Sequence, residues 1–281
     1  MSRWLCDGEM IDTVPIDDRA FQYGDGLFET IAIRNGQPRL WNYHLERLEY
    51  GCDRLRFERP ARKTLRNWLD QAVCNADGGV TDATVKLVLS AGLSERGYGR
   101  GTPTGTTVYV GVFDAAAVAA DHYREGVDTV ICDTRLALFS PTAGCKTLNR
   151  IEQVLARSEV VEHGAFEGLT LDGEGRLICG TMSNVFTISD DSIATPSLDR
   201  CGVEGVMRRH VIAALEQRDR LVDVRDISES ELLGADEVFL CNSQFGVIPV
   251  QRCGQKTWLD HPGTRFVMSV MADAGISECD Q

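Results

Sequence analysis

Runs of apolar residues with period two or near 3.6 divide the chain into short strands and medium helices. Trp4-Leu5-Cys6, Asp7-Gly8 and Glu9-Met10-Ile11 predict a short hairpin. Thr30 to Arg34, Asn35-Gly36 and Gln37 to Trp41 predict a second one, with the stronger turn signal because Asn and Gly accept the positive φ of a type I′ turn. Leu45, Leu48, Cys52 and Leu55 form a helical stripe, so a helix is expected from about His44 to Leu55, with His44 and Arg47 on its opposite, polar and solvated face. A second helix is expected from Pro60 to Cys74, where proline suits the first turn. Val85 to Ser90 and Thr107 to Val112 read as strands flanking the glycine-rich loop Ala91–Gly105.

Further on, Val127 to Cys132 reads as a strand and Leu148 to His163 as a helix with Leu148, Ile151, Val154, Leu155, Ser158 and Val161 on one face. Gly168 to Leu171, Leu177 to Cys179 and Val185 to Ser189 are short strands broken by Asp-Gly and Glu-Gly turns. Gly205 to Arg218 reads as a helix, and Ser228 to Leu233 as a shorter one with Glu231 in the capping-box position. Val238 to Cys241 and Val247 to Val250 are strands, and Gly263 to Ala274 a final helix. Helices and strands mix without regular βαβ alternation, which predicts an α+β fold in two lobes. The alanine-rich stretch 114–120 is the expected linker between a smaller domain, 1–113, and a larger one, 121–281.

Composition narrows the function. A net charge of −13 disfavours nucleic acid and anionic membranes as partners, so an anionic ligand needs local arginines or helix ends. Ten cysteines without a C-x-x-C, and no leader in the first dozen residues, are expected of a reduced, cytoplasmic protein. No apolar run approaches a membrane span. The five histidines lack metal-site spacing, and Gly180-Thr181-Met182-Ser183-Asn184 is no nucleophile elbow, so metal-dependent and serine hydrolysis have little support.

Lysine usage is more informative. The chain has 25 arginines but only four lysines, at 63, 86, 146 and 256. Lysine can give up its proton where arginine effectively cannot, and a neutral amine is what carbonyl chemistry requires. Lys146, in Gly144-Cys145-Lys146-Thr147-Leu148-Asn149-Arg150, has no acidic residue within five positions. The loop Thr195–Gly205 opens onto a helix, whose free N–H groups and dipole suit a phosphate. Arg47 is a candidate phosphate partner, and Arg96, in Glu95-Arg96-Gly97-Tyr98, a candidate clamp for a substrate carboxylate.

Five segments appear in order: Arg19 to Thr30 (RAFQYGDGLFET), His44-Leu45-Glu46-Arg47-Leu48, Lys146-Thr147-Leu148-Asn149-Arg150, Ser183-Asn184-Val185-Phe186, and Gly202 to Arg208 (GVEGVMR). Together they resemble the class IV aminotransferase-like, fold-type IV pyridoxal-phosphate enzymes, over about residues 4 to 250. The resemblance implies a two-domain, D-amino-acid-aminotransferase-like fold, a homodimer and pyridoxal 5′-phosphate as cofactor. It implies that Lys146 holds the cofactor covalently, that Arg47, the backbone N–H groups of Val206 and Met207, and Ser243 beside Asn242 contact its phosphate, and that Arg96 binds a substrate carboxylate. Around Lys146 and Gly202 the sequence looks most like the family's lyases that convert a dicarboxylate, 4-amino-4-deoxychorismate, to 4-aminobenzoate and pyruvate. Branched-chain and D-amino-acid aminotransferases share the frame. One position departs: the family places a glutamate against the pyridine nitrogen five residues before Asn184, and here that residue is Cys179. A thiol holds a proton on the ring poorly, which should hurt transamination more than an aromatising elimination. Glu174 filling the place, or a non-catalytic relative, are the alternatives this departure raises.

Overall fold

The computed structural model describes residues 3–76, 79–101, 105–138 and 141–280. Residues 102–104 of the glycine-rich loop therefore lie outside the described residues. The chain forms two compact units, one of Met1–Ala116 with Cys145–Asn149, the other of Ala117–Gly144 with Arg150–Gln281. The pentapeptide carrying Lys146 thus belongs to the first unit, although its neighbours on both sides belong to the second.

In the first unit β1 (Arg3–Cys6) and β2 (Glu9–Ile11) make the first hairpin, helix α1 (Arg19–Tyr23) follows, and β3 (Gly26–Arg34) and β4 (Gln37–Pro38) make the second. Asn35 and Gly36 take φ of 52° and 71°, as the Asn-Gly turn requires. Helices α2 (Trp41–Leu55) and α3 (Arg62–Asn75) precede β5 (Ala83–Ser90) and β6 (Thr107–Asp114). The sheet order is β2-β1-β6-β5-β3-β4, antiparallel throughout. Leu27, Ile31, Ile33, Val85, Leu87 and Leu89 line one face and pack with Leu45, Leu48, Cys52, Leu65 and Leu69 of the two helices. Burying each such side chain contributes about 1.5–3 kcal/mol. By strand alternation Glu29 points to this same apolar face, while Phe28, Thr30, Lys86 and Val88 share the other.

The second unit contains α4 (Ala120–Arg124), β7 (Val127–Leu136), α5 (Ile151–Glu162), β8 (Glu167–Asp172), β9 (Leu177–Gly180), β10 (Asn184–Ser189) and β11 (Ser192–Pro196). Then come α6 (Val206–Glu216), β12 (Val222–Arg225), α7 (Glu229–Gly234), β13 (Glu237–Asn242), β14 (Gly246–Cys253), β15 (Lys256–Thr257) and α8 (Pro262–Asp273). The sheet runs β12-β11-β10-β13-β14-β7-β8-β9, with β15 on β14. It is parallel at β11–β12, β14–β7 and β7–β8, which makes the fold mixed α+β as the patterning predicts. Ser228 and Glu231 form the expected capping box of α7.

Helix α5 corrects an expectation. It begins at Ile151, after Leu148, and its apolar stripe faces outward: Ile151, Val154, Leu155 and Val161 are 67%, 58%, 53% and 71% exposed. The helix seats on its sheet through Ala156 and Val160 instead, with Cys132 beneath them. Helical periodicity identifies an apolar face, not what covers it.

Candidate active site

Lys146 is fixed by backbone bonding to β3. Its carbonyl accepts the N–H of Phe28 at 2.9 Å, and the N–H of Leu148 donates to the carbonyl of Gly26 at 3.0 Å. These bonds bracket a bridge between Leu27 and Thr147. Such close approach requires glycine at 26, where a Cβ would lie 2.5 Å from the Leu89 carbonyl and 2.6 Å from Leu148 Cδ1. Lys146 Nζ then sits 4.3 Å from the centroid of the Phe28 ring, and Lys86 Nζ lies 5.3 Å from the same ring. A ring face attracts an ammonium electrostatically while leaving its protons available.

On the apolar face of β3, Glu29 anchors a buried triad. Arg47 Nε donates to Glu29 Oε1 at 2.9 Å, Arg47 Nη2 to Oε2 at 2.5 Å, and His44 Nδ1 meets Oε2 at 2.5 Å. Glu29, His44 and Arg47 are 2%, 1% and 8% exposed, so the polar face of α2 is buried rather than solvated. A charged group placed there must be paired, and Glu29 supplies the pairing. Burial by itself raises the Glu29 carboxyl, but the Arg47 guanidinium and the bonds from His44 and Arg47 outweigh it and hold the group at about 2. Burial pushes the His44 imidazole down, against Glu29 and with help from the charges of Arg47 and Lys146. A neutral His44 donates from Nδ1 to Glu29, which leaves the buried Nε2 as an acceptor with no hydrogen-bond partner among the described residues.

In the second unit, α6 presents an uncapped N-terminus. Its N-cap, Gly205, offers no side chain, and the first helical bond runs from Arg209 N to Gly205 O. The N–H groups of Val206 and Met207 precede that bond and point out of the helix start. Both side chains are buried in the core, which fixes the turn. Asn184 Nδ2 donates to the Val203 carbonyl at 3.0 Å, and a Cβ on Gly205 would fall 1.9 Å from Asn184 Oδ1, so only glycine fits. Arg208, 4% exposed, donates to Pro196 O at 3.1 Å and adds a buried positive charge in the first turn. Gly144, two residues before Lys146, bridges to Val203 in the approach to this helix.

Cys179 lies in β9 of the same unit, 6% exposed, with Thr170 Oγ1 3.6 Å from its sulfur. Burial pushes its thiol up to about 11, against the bonds from Thr170 and the Val203 N–H. The thiol is therefore neutral at pH 7. Glu174 does not replace it: that side chain is exposed in the β8–β9 turn and ion-paired to Arg176 at 2.5 Å. Two buried acids lie on β8: Asp172, paired with Arg176, and Glu167, which accepts from Gly168 N, Ser183 Oγ and the N–H groups of Thr181 and Met182.

The structure thus places Lys146, Arg47 and Arg96 in the first unit, and Cys179, Val206, Met207, Asn242 and Ser243 in the second. Asn242 spends its side-chain oxygen on the local turn, accepting from Gln244 N and Phe245 N at 2.8 and 2.9 Å. Sequence reading missed the Glu29 triad, Phe28, Lys86 and Glu167. Glu29 had a signal, being an acid at a position whose alternation is otherwise Leu27, Ile31 and Ile33.

Residues 26–253 match the family described as amino-transferase class IV. The chain is 38% identical over 237 residues to an aminodeoxychorismate lyase of Vibrio harveyi, covering 84% of this chain and 86% of that one. It is 29% identical to a D-alanine aminotransferase of Bacillus licheniformis, over 94% and 93%. The crystal structure of 4-amino-4-deoxychorismate lyase from Pseudomonas aeruginosa superposes with a TM-score of 0.89 at 40% identity, covering 96% of this chain and 98% of that one. A family match over residues 26–253, together with a 38% identical relative that covers 84% of this chain, means that this chain belongs to the class IV aminotransferase family.

Proposed function

We propose that this chain is a pyridoxal-phosphate-dependent lyase that converts 4-amino-4-deoxychorismate to 4-aminobenzoate and pyruvate. The observation that carries the reading is Lys146, its backbone bonded to β3 and its amine over the Phe28 ring, in a chain 38% and 40% identical to two lyases of that activity. The chemistry of residues in each unit, taken separately, supports this cofactor. The unclaimed N–H groups of Val206 and Met207 suit its phosphate, with Arg47 and Ser243 as further partners, and the amine of Lys146 suits its aldehyde. Bound there, pyridoxal phosphate supplies the electron sink for the reaction.

The protein supplies position and proton transfer. With the cofactor bound, the amine of Lys146 would take the proton from the substrate carbon that bears the amine, which requires it to be neutral at that step. Loss of the enolpyruvyl group makes the ring aromatic, and Lys146 returns a proton to the departing fragment. The substrate carries two carboxylates. Arg96 is assigned to one, and Lys86, on the Phe28 face of the sheet, supplies a cation for the other. The neutral thiol of Cys179 favours the lyase over an aminotransferase, since aromatisation supplies the driving force that transamination lacks.

The outward apolar stripe of α5, with Met182 beside it, supports a homodimer. Ten cysteines, none in a disulfide, suit a reducing compartment such as the cytoplasm. No helix of the described residues is long and apolar enough to cross a membrane. The test is release of 4-aminobenzoate and pyruvate from aminodeoxychorismate by wild type and its loss in Lys146→Ala. Conversion of the cofactor to its amine form by D-alanine or leucine, without pyruvate release from aminodeoxychorismate, would favour the aminotransferase.

A further inference from the structure

We infer that Asp25 is a positioning residue that holds the segment 94–100, and with it Arg96, in the conformation that binds substrate. The inference rests on the reading of Arg96 as a carboxylate clamp. Residues 94–100 contain no helix or strand, and Gly97 takes a φ of 119°. Such a segment loses about 1–2 kcal/mol of backbone entropy per ordered residue and must be held by something else.

Two arginines hold it, and one carboxylate holds both arginines. Arg19, 3% exposed, donates from Nη1 to Ser94 Oγ at 2.8 Å and to Gly97 O at 3.1 Å, and from Nη2 to Tyr98 O at 3.0 Å. Its Nε donates to Asp25 Oδ2 at 2.8 Å. Arg100, at the far end of the segment, donates to Asp25 through Nε at 2.9 Å and Nη2 at 2.6 Å, and to the Leu55 carbonyl at 2.6 Å. Each guanidinium also lies over a ring, Arg19 on Tyr23 at 4.8 Å and Arg100 on Phe57 at 4.6 Å. The Tyr23 hydroxyl accepts the N–H of Gly97 at 3.2 Å. The Asp25 backbone is bonded on both sides: its N–H donates to Arg19 O at 3.2 Å and its carbonyl accepts from Ala91 N at 3.0 Å.

Arg96 sits in the middle of this clamp with its side chain exposed, while its neighbours' carbonyls are tied to Arg19. Asp25 also lies three residues before Phe28 on the same stretch that Lys146 bonds. One side chain therefore links the position of the clamp to the strand that positions the amine.

The experiment uses Asp25→Asn in the holoenzyme, which keeps the shape and removes the charge that both arginines share. Amide hydrogen exchange of residues 94–100 should speed up by about tenfold or more, and KM for aminodeoxychorismate should rise about tenfold with kcat within about twofold. Cofactor absorbance should not change. Adding Asp25→Asn to Arg96→Ala should raise KM no further than Arg96→Ala alone. If Asp25→Asn does not fold, Arg100→Gln, at the exposed end, should give the same pattern more weakly. Unchanged exchange in the segment overturns the inference, and so does a KM effect that persists undiminished on the Arg96→Ala background. An Arg96→Ala enzyme with normal KM would instead overturn the assignment of Arg96, while the exchange measurement would still decide what Asp25 does.

Discussion

Replacing Glu29 by Gln removes one negative charge from a site holding an arginine 8% exposed and a histidine 1% exposed. The shape is kept, so the cost is electrostatic. The Glu29 carboxyl lies at about 2 against an ordinary 4.5, and at 1.36 kcal/mol per pH unit that displacement is worth ~3 kcal/mol. The figure agrees with the 3–5 kcal/mol generally lost when one partner of a buried pair is removed. Because the folded-state value is depressed, the stabilisation is fully present above pH 4.5 and is lost as pH falls through about 2. Urea unfolding of wild type and Glu29→Gln should therefore differ by ~3 kcal/mol at pH 7 and by ~1.4 kcal/mol at pH 3. Adding Arg47→Met to Glu29→Gln should restore much of the loss, since no buried charge then lacks a partner. A difference below ~1 kcal/mol at pH 7, or one equal at both pH values, would refute the account of the triad.

Cys179→Glu places a carboxylate where a neutral thiol now stands, and should raise the rate of cofactor conversion by amino acids by about tenfold or more while aiding the lyase less; unchanged single-turnover rates would contradict the role given to the thiol. In its native form Cys179, at about 11, should resist iodoacetamide at pH 8 while exposed Cys74 reacts, as peptide mapping would report. Gly205→Ala drives a Cβ to within 1.9 Å of Asn184 Oδ1 and should weaken pyridoxal-phosphate binding about tenfold in absorbance titrations. Val154→Glu with Leu155→Glu on the outward face of α5 should convert a dimer to monomers by light scattering, and an unchanged mass would place the interface elsewhere.

Local chemistry was readable from the residues alone. Asn35-Gly36 set the second hairpin, and Ser228 with Glu231 set a capped helix start, because each signal acts within four residues. Helix α1 escaped because five residues carry too little period to register, and β11 and β12 because four- and five-residue strands give few alternations. The outward stripe of α5 could not be told from a core stripe, since both are apolar at the same spacing. For the site, the rarity of lysine singled out Lys146 as the candidate, and five motifs in order pointed to the cofactor. The partners were not legible. Glu29 precedes His44 by 15 positions and Arg47 by 18, and Asp25 precedes Arg100 by 75, so their pairing depends on how β3 lies under α2 and beside the loop.

The central claim is that the amine of Lys146 bonds the aldehyde carbon of pyridoxal phosphate. Borohydride reduction of the holo-protein, followed by mass mapping, tests it directly. The account predicts a phosphopyridoxyl group on the peptide containing Lys146 and on no peptide containing Lys63, Lys86 or Lys256. Label on any of those three, or on none of the four lysines, would contradict it.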